Sequence, residues 1–287
     1  MKNSIIKSYC KINLSLKIVK RLSNGYHNLQ SIITFCNLYD LISISKIKGF
    51  KDKIIFSGKF KKGINKKSNT AIKVLSLLRS YKLIKNQAFK INIKKNIPHG
   101  SGLGGGSSNA AALLNYFNTT MKLKLSTNKL KKLAIKVGSD VPICLQKKNT
   151  LLTGKTGQIL RLKKNFYLNL LIVYPNLICS TKKIYSENKK ISLKKHKSFF
   201  NFKNNKKFIN FLSKETNDLQ KTVVKIYPKI GKIIKDIRHQ KDCRFSRITG
   251  SGSACIGIFS NMSSAIYAKK IINLKYPNYW CVVSKTM

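Results

Sequence analysis

The sequence predicts an α+β fold on three observations. Short runs alternate apolar and polar residues, other runs repeat apolar residues at i, i+3, i+4 and i+7, and a strand, glycine loop and helix sit in succession near the middle of the chain. At 287 residues there is room for one large or two ordinary domains. Helices and strands in this order suit an open α+β sandwich, and no internal repeat is present.

The central unit is justified first. Phe89, Ile91 and Ile93 alternate with Lys90, Asn92 and Lys94, the period of a half-buried strand. Residues Pro98 to Asn109 then read Pro-His-Gly-Ser-Gly-Leu-Gly-Gly-Gly-Ser-Ser-Asn, and Ala110 to Leu114 are strong helix formers. Ser107 or Ser108 is placed to cap that helix. Glycines permit positive φ and close backbone approach, and open N–H groups at a helix start favour an anion, so the stretch reads as a phosphate cradle. Gly100, Gly102 and Gly105 fit G-x-G-x-x-G, but a dinucleotide fold wants an acid about twenty residues on, and no Asp or Glu lies between Asp52 and Asp140. The P-loop lysine is missing, and the protein-kinase motifs are absent. Ordered-looking flanks argue against a plain linker.

The remaining elements follow in order. In residues 11 to 18, Ile12, Leu14, Leu16 and Ile18 share one face of a strand and Lys11, Asn13, Ser15 and Lys17 the other. Lys11 and Asn13 therefore project side by side, either as site groups or as ordinary solvated positions. Asn24-Gly25 is a hairpin signal, with Tyr26 and His27 at its exit, where packing is the ordinary role of both. Ile42 and Ile44 indicate a further strand, and residues 46 to 67 a lysine-rich hairpin. Ser68-Asn69-Thr70 caps a helix with Ala71, Val74, Leu75 and Leu78 on one stripe. Ser126 opens another, carrying Leu130, Leu133, Ala134 and Val137, which Gly138 ends. Asp140 stands between that stop and Pro142, as a turn cap or as a site acid. Thr153 to Gly157 marks a change of domain. Leu168 to Tyr174 is an apolar strand, and residues 182 to 207 are a lysine-dense surface excursion with helical pieces. Pro228 starts a helix through Ile230, Ile233, Ile234 and Ile237. A second small-residue loop, Thr249 to Ala254, precedes a helix from Ser263 and a strand from Tyr279 to Val283.

Composition bounds the partners. There are 58 Lys+Arg against 8 Asp+Glu, a net charge of +50. Nucleic-acid binding is one reading of such a charge. The lysines, however, occur in every predicted element, mostly on polar faces rather than in one patch or tail, and no RNA-recognition motif or zinc-finger spacing occurs. The charge therefore reads as compositional drift without a specific nucleic-acid partner, though its field would draw in anionic nucleotides. Seven scattered cysteines without a C-x-x-C pair fit free thiols in a reducing cytosol, which places the chain in the cytoplasm. No apolar run reaches membrane-spanning length, and Lys7, Lys11 and Lys17 interrupt the N-terminal apolar positions, against a signal peptide.

Residues Pro98 to Asn109 resemble the phosphate loop of the GHMP small-molecule kinases, and Gly250 to Ala254 resemble that family's C-terminal glycine motif. Lys11-Ile12-Asn13-Leu14, Gly25 to Ser31, Gly138 to Pro142 and Thr216-Asn217-Asp218-Leu219 match, in register, the branch acting on a cytidine diphosphate-linked methylerythritol. The resemblance implies a two-domain architecture: an N-terminal ATP-binding domain, residues 1–155, and a C-terminal ferredoxin-like domain, residues 156–287, with the active site in the cleft. It implies Lys11 and Asp140 as the catalytic pair, the aspartate serving as base or only orienting the hydroxyl. It implies Pro98, Gly100, Ser101, Gly102, Leu103, Gly104, Gly105, Gly106, Ser107 and Ser108 at the ATP phosphates. Asn13, Tyr26, His27 and Tyr185 become substrate contacts, Tyr26 and Tyr185 sandwiching the cytosine ring and His27 reading its edge. ATP is the implied co-substrate, with Mg²⁺ held mainly by its phosphates and no metal site of the protein's own. Ser101 stands where the family has alanine or glycine, and Gln158 where a glutamate is common.

Overall fold

The computed structural model describes residues 3–23, 27–154, 158–162, 164–189, 191–192, 202 and 204–287. Asn24, Gly25 and Tyr26 of the expected hairpin signal, and Lys155 to Gly157 of the expected domain change, lie outside the described residues. The chain forms two compact units, each drawn from non-consecutive stretches. The first contains Met1–Lys11, Leu38–His99 and Gly104–Lys147; the second contains Ile12–Asn37, Gly100–Leu103 and Lys148–Met287. Residues 12–37 and 100–103, which precede the expected domain change, thus pack within the second unit.

Strand β1 (Ser4–Asn13) ends where β2 (Lys17–Arg21) has yet to begin, and β3 (His27–Ile47) pairs with both. One unbroken strand was expected across residues 11 to 18. The run is interrupted instead: the Leu14 amide still donates to the Ile32 carbonyl of β3, while Leu16 bridges to Asn217. Of the two readings of the polar face the solvated one fails, since Lys11, Asn13 and Ser15 are all buried.

In the first unit, β4 (Lys53–Ser57) runs parallel to β5 (Ala88–Lys94), which pairs antiparallel with the C-terminal part of β3, Ile42 opposite Ile93 and Ile44 opposite Ile91. The hairpin expected within residues 46 to 67 is therefore replaced by a parallel pair. Such a pair needs a long crossover, and helix α1 (Thr70–Ser80) supplies it. Asn69 caps α1 by accepting from the Ala71 and Ile72 amides, and Ala71, Val74, Leu75 and Leu78 are buried as their spacing predicts. Helix α2 (Gly105–Thr120) packs on α1, and α3 (Thr127–Val137), capped by Ser126, packs on both. The short α4 (Val141–Cys144) rests against α2 and α3.

In the second unit, the N-terminal part of β3 pairs with β2 and with β6 (Thr150–Thr153), and β6 pairs with β7 (Gln158–Arg161). Strand β8 (Asn169–Tyr174) follows, then α5 (Thr181–Glu187), α6 (Asn205–Lys214), α7 (Gln220–Ile226) and α8 (Pro228–Arg238). Strands β9 (Cys243–Ile248) and β10 (Cys255–Phe259), helix α9 (Met262–Lys275) and strand β11 (Trp280–Lys285) complete the unit. The four-stranded antiparallel sheet has the order β11-β8-β10-β9, with α8 and α9 packed on it, which is the ferredoxin-like arrangement. Leu170 to Val173 are buried on both faces of β8, each contributing about 1.5–3 kcal/mol of apolar burial. Among the described residues no helix is long and apolar enough to cross a membrane.

Candidate active site

The glycine loop enters α2 differently from the expected serine cap. Ser107 and Ser108 lie inside the first turn, and the N-cap is Gly104 at φ 68°, with no side-chain cap hydrogen bond. The left-handed conformation available to glycine lets the helix begin earlier. Its first amides consequently receive no side-chain cap, a geometry that can accept an anion. Ser108 is buried and its hydroxyl donates to Cys144 Sγ at 3.4 Å.

The same glycine governs Lys11. A Cβ on Gly104 would stand 2.8 Å from Lys11 Cε and 3.1 Å from Lys11 Cβ, so the lysine stem passes directly beneath the loop backbone. Its Nζ lies 3.1 Å from Asp140 Oδ2. The lysine side chain is 5% exposed and the aspartate 43%, so the cation is held from below while the carboxylate keeps an open side. Asp140 is fixed at the N-cap of α4, where the Val141 amide donates to the Gly138 carbonyl and Pro142 sets the first turn. Two charges 129 positions apart in sequence therefore meet beside an uncapped helix start. Together they can neutralise a transferring anionic group and accept a proton next to it.

The loop residues divide by burial. Gly100 and Gly106 are exposed and Gly102, Gly104 and Ser107 half-buried, whereas Pro98, Ser101, Leu103 and Gly105 are buried. In the second unit the two glycine motifs interlock: a Cβ on Gly102 would stand 2.1 Å from the Thr249 carbonyl oxygen, and one on Gly252 2.0 Å from that of Ser101. The Ala254 amide donates to the Ser101 carbonyl at 3.0 Å. Ser101 is thus buried, with its backbone set against the second motif.

Also in the second unit, Asn13 donates its backbone amide to Thr249 Oγ1 at 2.9 Å and its side-chain amide to Ser31 Oγ at 2.8 Å. The rings of His27 and Tyr185 meet at 5.0 Å between centroids, tilted by 42°. Burial holds the His27 imidazole below its ordinary pKa, and the Arg21 charge adds to the effect. Tyr26 lies outside the described residues.

Sequence reasoning missed several supports. Asn217 donates to the carbonyls of Gly250, at 2.7 Å, and Ile248, at 3.3 Å. Asp218, fully buried, accepts from the Ile18 amide and the Ser192 hydroxyl. Arg247 donates to the carbonyls of Leu14 and Leu212; burial brings its pKa down to about 10, opposed by the Glu215 charge, and it stays cationic at neutral pH. The Thr216 to Leu219 motif pointed to Asn217 and Asp218, but nothing local in the sequence shows which backbone they hold.

The chain carries two regions matching family models, GHMP kinases N terminal domain over residues 69–148 and GHMP kinases C terminal over residues 197–278. It belongs to the GHMP kinases, small-molecule kinases that take ATP as co-substrate. A Pelagibacter ubique protein named 4-diphosphocytidyl-2-C-methyl-D-erythritol kinase is 36% identical, the match covering 98% of each chain. A protein of the same name from Caldicellulosiruptor bescii is 34% identical over 92% of each. Among solved structures, a 4-(cytidine 5'-diphospho)-2C-methyl-D-erythritol kinase superposes with a TM-score of 0.76 at 22% identity, covering 99% of this chain and all of that one. Homoserine kinase from Cytophaga hutchinsonii gives 0.73 at 16% identity, covering 100% and 95%. Both structures share the two-domain GHMP kinase fold with this chain.

Proposed function

We propose that this chain transfers the γ-phosphoryl group of ATP to the 2-hydroxyl of 4-diphosphocytidyl-2-C-methyl-D-erythritol. The observation that carries the chemistry is the Lys11–Asp140 pair at 3.1 Å, its lysine stem pressed under Gly104. The choice of substrate is supported by relatives of that name at 36% and 34% identity over nearly full length.

Phosphoryl transfer requires positioning and charge stabilisation more than covalent chemistry. The α2 amides and glycine loop hold the triphosphate. Magnesium enters with the nucleotide as part of the substrate, held mainly by phosphate oxygens. The bond from the substrate hydroxyl oxygen to the γ-phosphorus forms as the bond to the β–γ bridging oxygen breaks, and ADP leaves. Asp140 orients that hydroxyl and takes its proton, while Lys11 stabilises charge on the transferred group. Asn13 contacts the alcohol end of the substrate. His27, Tyr185 and Tyr26 hold the cytosine, the rings by stacking and the imidazole by its polar edge. Cytoplasmic location and action on small molecules alone complete this reading.

The test is ADP release by purified protein offered ATP with the cytidine substrate, with mevalonate and with homoserine. Turnover is expected with the first alone and is lost in Asp140→Asn. Preferential turnover of another alcohol overturns the substrate, and near-normal activity of the variant overturns the role of Asp140.

A further inference from the structure

A second lysine–aspartate pair lies in the same unit, away from the reacting groups. Asp40 sits in the apolar run Leu38-Tyr39-Asp40-Leu41-Ile42 of β3, and Lys95 follows the last residue of β5. Their side chains are 0% and 2% exposed, and Lys95 Nζ donates to Asp40 Oδ2. Asp40 Oδ1 accepts from the backbone amides of Asn96, at 2.8 Å, and Ile97, at 2.9 Å. Three donors from three consecutive residues therefore converge on one buried carboxylate. The strand end is pinned as well, because the Lys95 amide donates to the Ser57 carbonyl and the Phe60 amide to that of Lys95.

From this template two contacts reach the first residue of α2. A Cβ on Gly105 would stand 3.1 Å from Ile97 Cγ2 and 3.3 Å from Lys95 Nζ, so the helix start rests on both side chains. An ammonium group under a helix N-terminus opposes the helix dipole unless it is neutralised, and Asp40 neutralises it. We propose that Asp40 and Lys95 are positioning residues for nucleotide binding: the carboxylate shapes residues 95–97, which hold the start of α2 where its amides receive phosphate. The pair supplies geometry, whereas Lys11 supplies charge. This inference rests on the kinase reading above.

The test compares two double variants with the parent. D40N/K95M removes both charges but keeps a side-chain oxygen for the two amides; D40A/K95M removes the charges and the acceptor. Both are assayed for KM and kcat with each substrate and titrated with a non-hydrolysable ATP analogue. D40A/K95M is expected to raise KM for ATP about tenfold or more while leaving KM for the cytidine substrate within about twofold. D40N/K95M is expected to stay within about threefold of the parent for both. Equal losses in the two variants, or a loss shared equally by the two substrates, overturns the proposal. Should D40A/K95M fail to fold, hydrogen exchange on the parent decides. Protection of the Asn96 and Ile97 amides without nucleotide supports the preset loop, and rapid exchange that slows only on binding the analogue overturns it. A parent that binds the analogue but leaves the cytidine substrate untouched removes the substrate assignment, while the analogue titrations still report on the loop.

Discussion

Two lysine–aspartate pairs in one compact unit are built in opposite ways. Lys95–Asp40 is closed: both side chains are out of solvent, and both carboxylate oxygens are occupied. Lys11–Asp140 is half open, with a buried cation and a carboxylate that solvent, or a substrate, can reach. Removing water from both ions is costly and is offset only when the remaining hydrogen-bonding capacity is met, as it is at Asp40. Leaving one ion reachable gives up stability and retains reactivity. Burial therefore separates a charge pair that shapes the backbone from one that can do chemistry.

The largest effects test this contrast directly. Asp140→Asn is expected to lower kcat by about a hundredfold to ten-thousandfold. Its folding stability should fall less than in Asp40→Asn, since the Asp140 side chain is 43% exposed and solvent can take its place beside the lysine. Asp40→Asn leaves the Lys95 charge buried and unpaired, and should cost about 3–5 kcal/mol in denaturant melts. A variant set in which the Asp140 change unfolds the protein, or the Asp40 change costs nothing, breaks the comparison.

Next in size is the glycine that joins loop and lysine. Gly104→Ala forces a side chain into positive φ, at about 1–2 kcal/mol, and sets its methyl against the Lys11 stem. The kcat/KM for ATP should fall about tenfold or more. Gly106→Ala lies inside α2 with its nearest neighbour 3.8 Å away, and its melting temperature should equal or exceed the parent's. Equal thermal losses in the two variants would show that the conformation at 104 is not special.

How much of this was legible in the sequence follows from the range of each signal. Helices α1 and α3 announced themselves through caps and periodic apolar residues, which are local. The parallel partner of β4 did not, because an edge strand's alternation is silent about direction. Lys11 and Asp140 came to attention through family resemblance, but their proximity is tertiary. Asp40 left a faint trace, an acid inside an apolar run in a chain with only 8 acids. Its partners, two backbone amides and a lysine, carry no sequence pattern that could have named them.

Asn217 offers a neutral counterpart to Asp40 in the other unit, since it too holds loop backbone, through the Gly250 and Ile248 carbonyls. Asn217→Ala strands those carbonyls without leaving a charge, and should cost about 1–3 kcal/mol in the same melts, less than Asp40→Asn. A larger loss would mean that charge is not what separates the two templates.

The smallest effect concerns a charge that the fold suppresses. Burial, reinforced by Arg21, lowers the His27 pKa below its ordinary value of about 6.5. The unfolded chain therefore takes up this proton at higher pH than the folded protein does. The stability that His27 contributes is complete above about pH 6.5 and is lost as pH falls through the lower folded pKa. Binding follows the same sign. A neutral imidazole both donates and accepts and can match a cytosine edge, whereas the imidazolium only donates. KM for the cytidine substrate should therefore rise on the acid side of the usual histidine range, while KM for ATP shows no such limb. Arg21→Gln removes the smaller cause and should move the limb toward higher pH, yet short of the ordinary value because burial remains. A limb that stays in place, or that appears in the ATP profile instead, would detach His27 from the base.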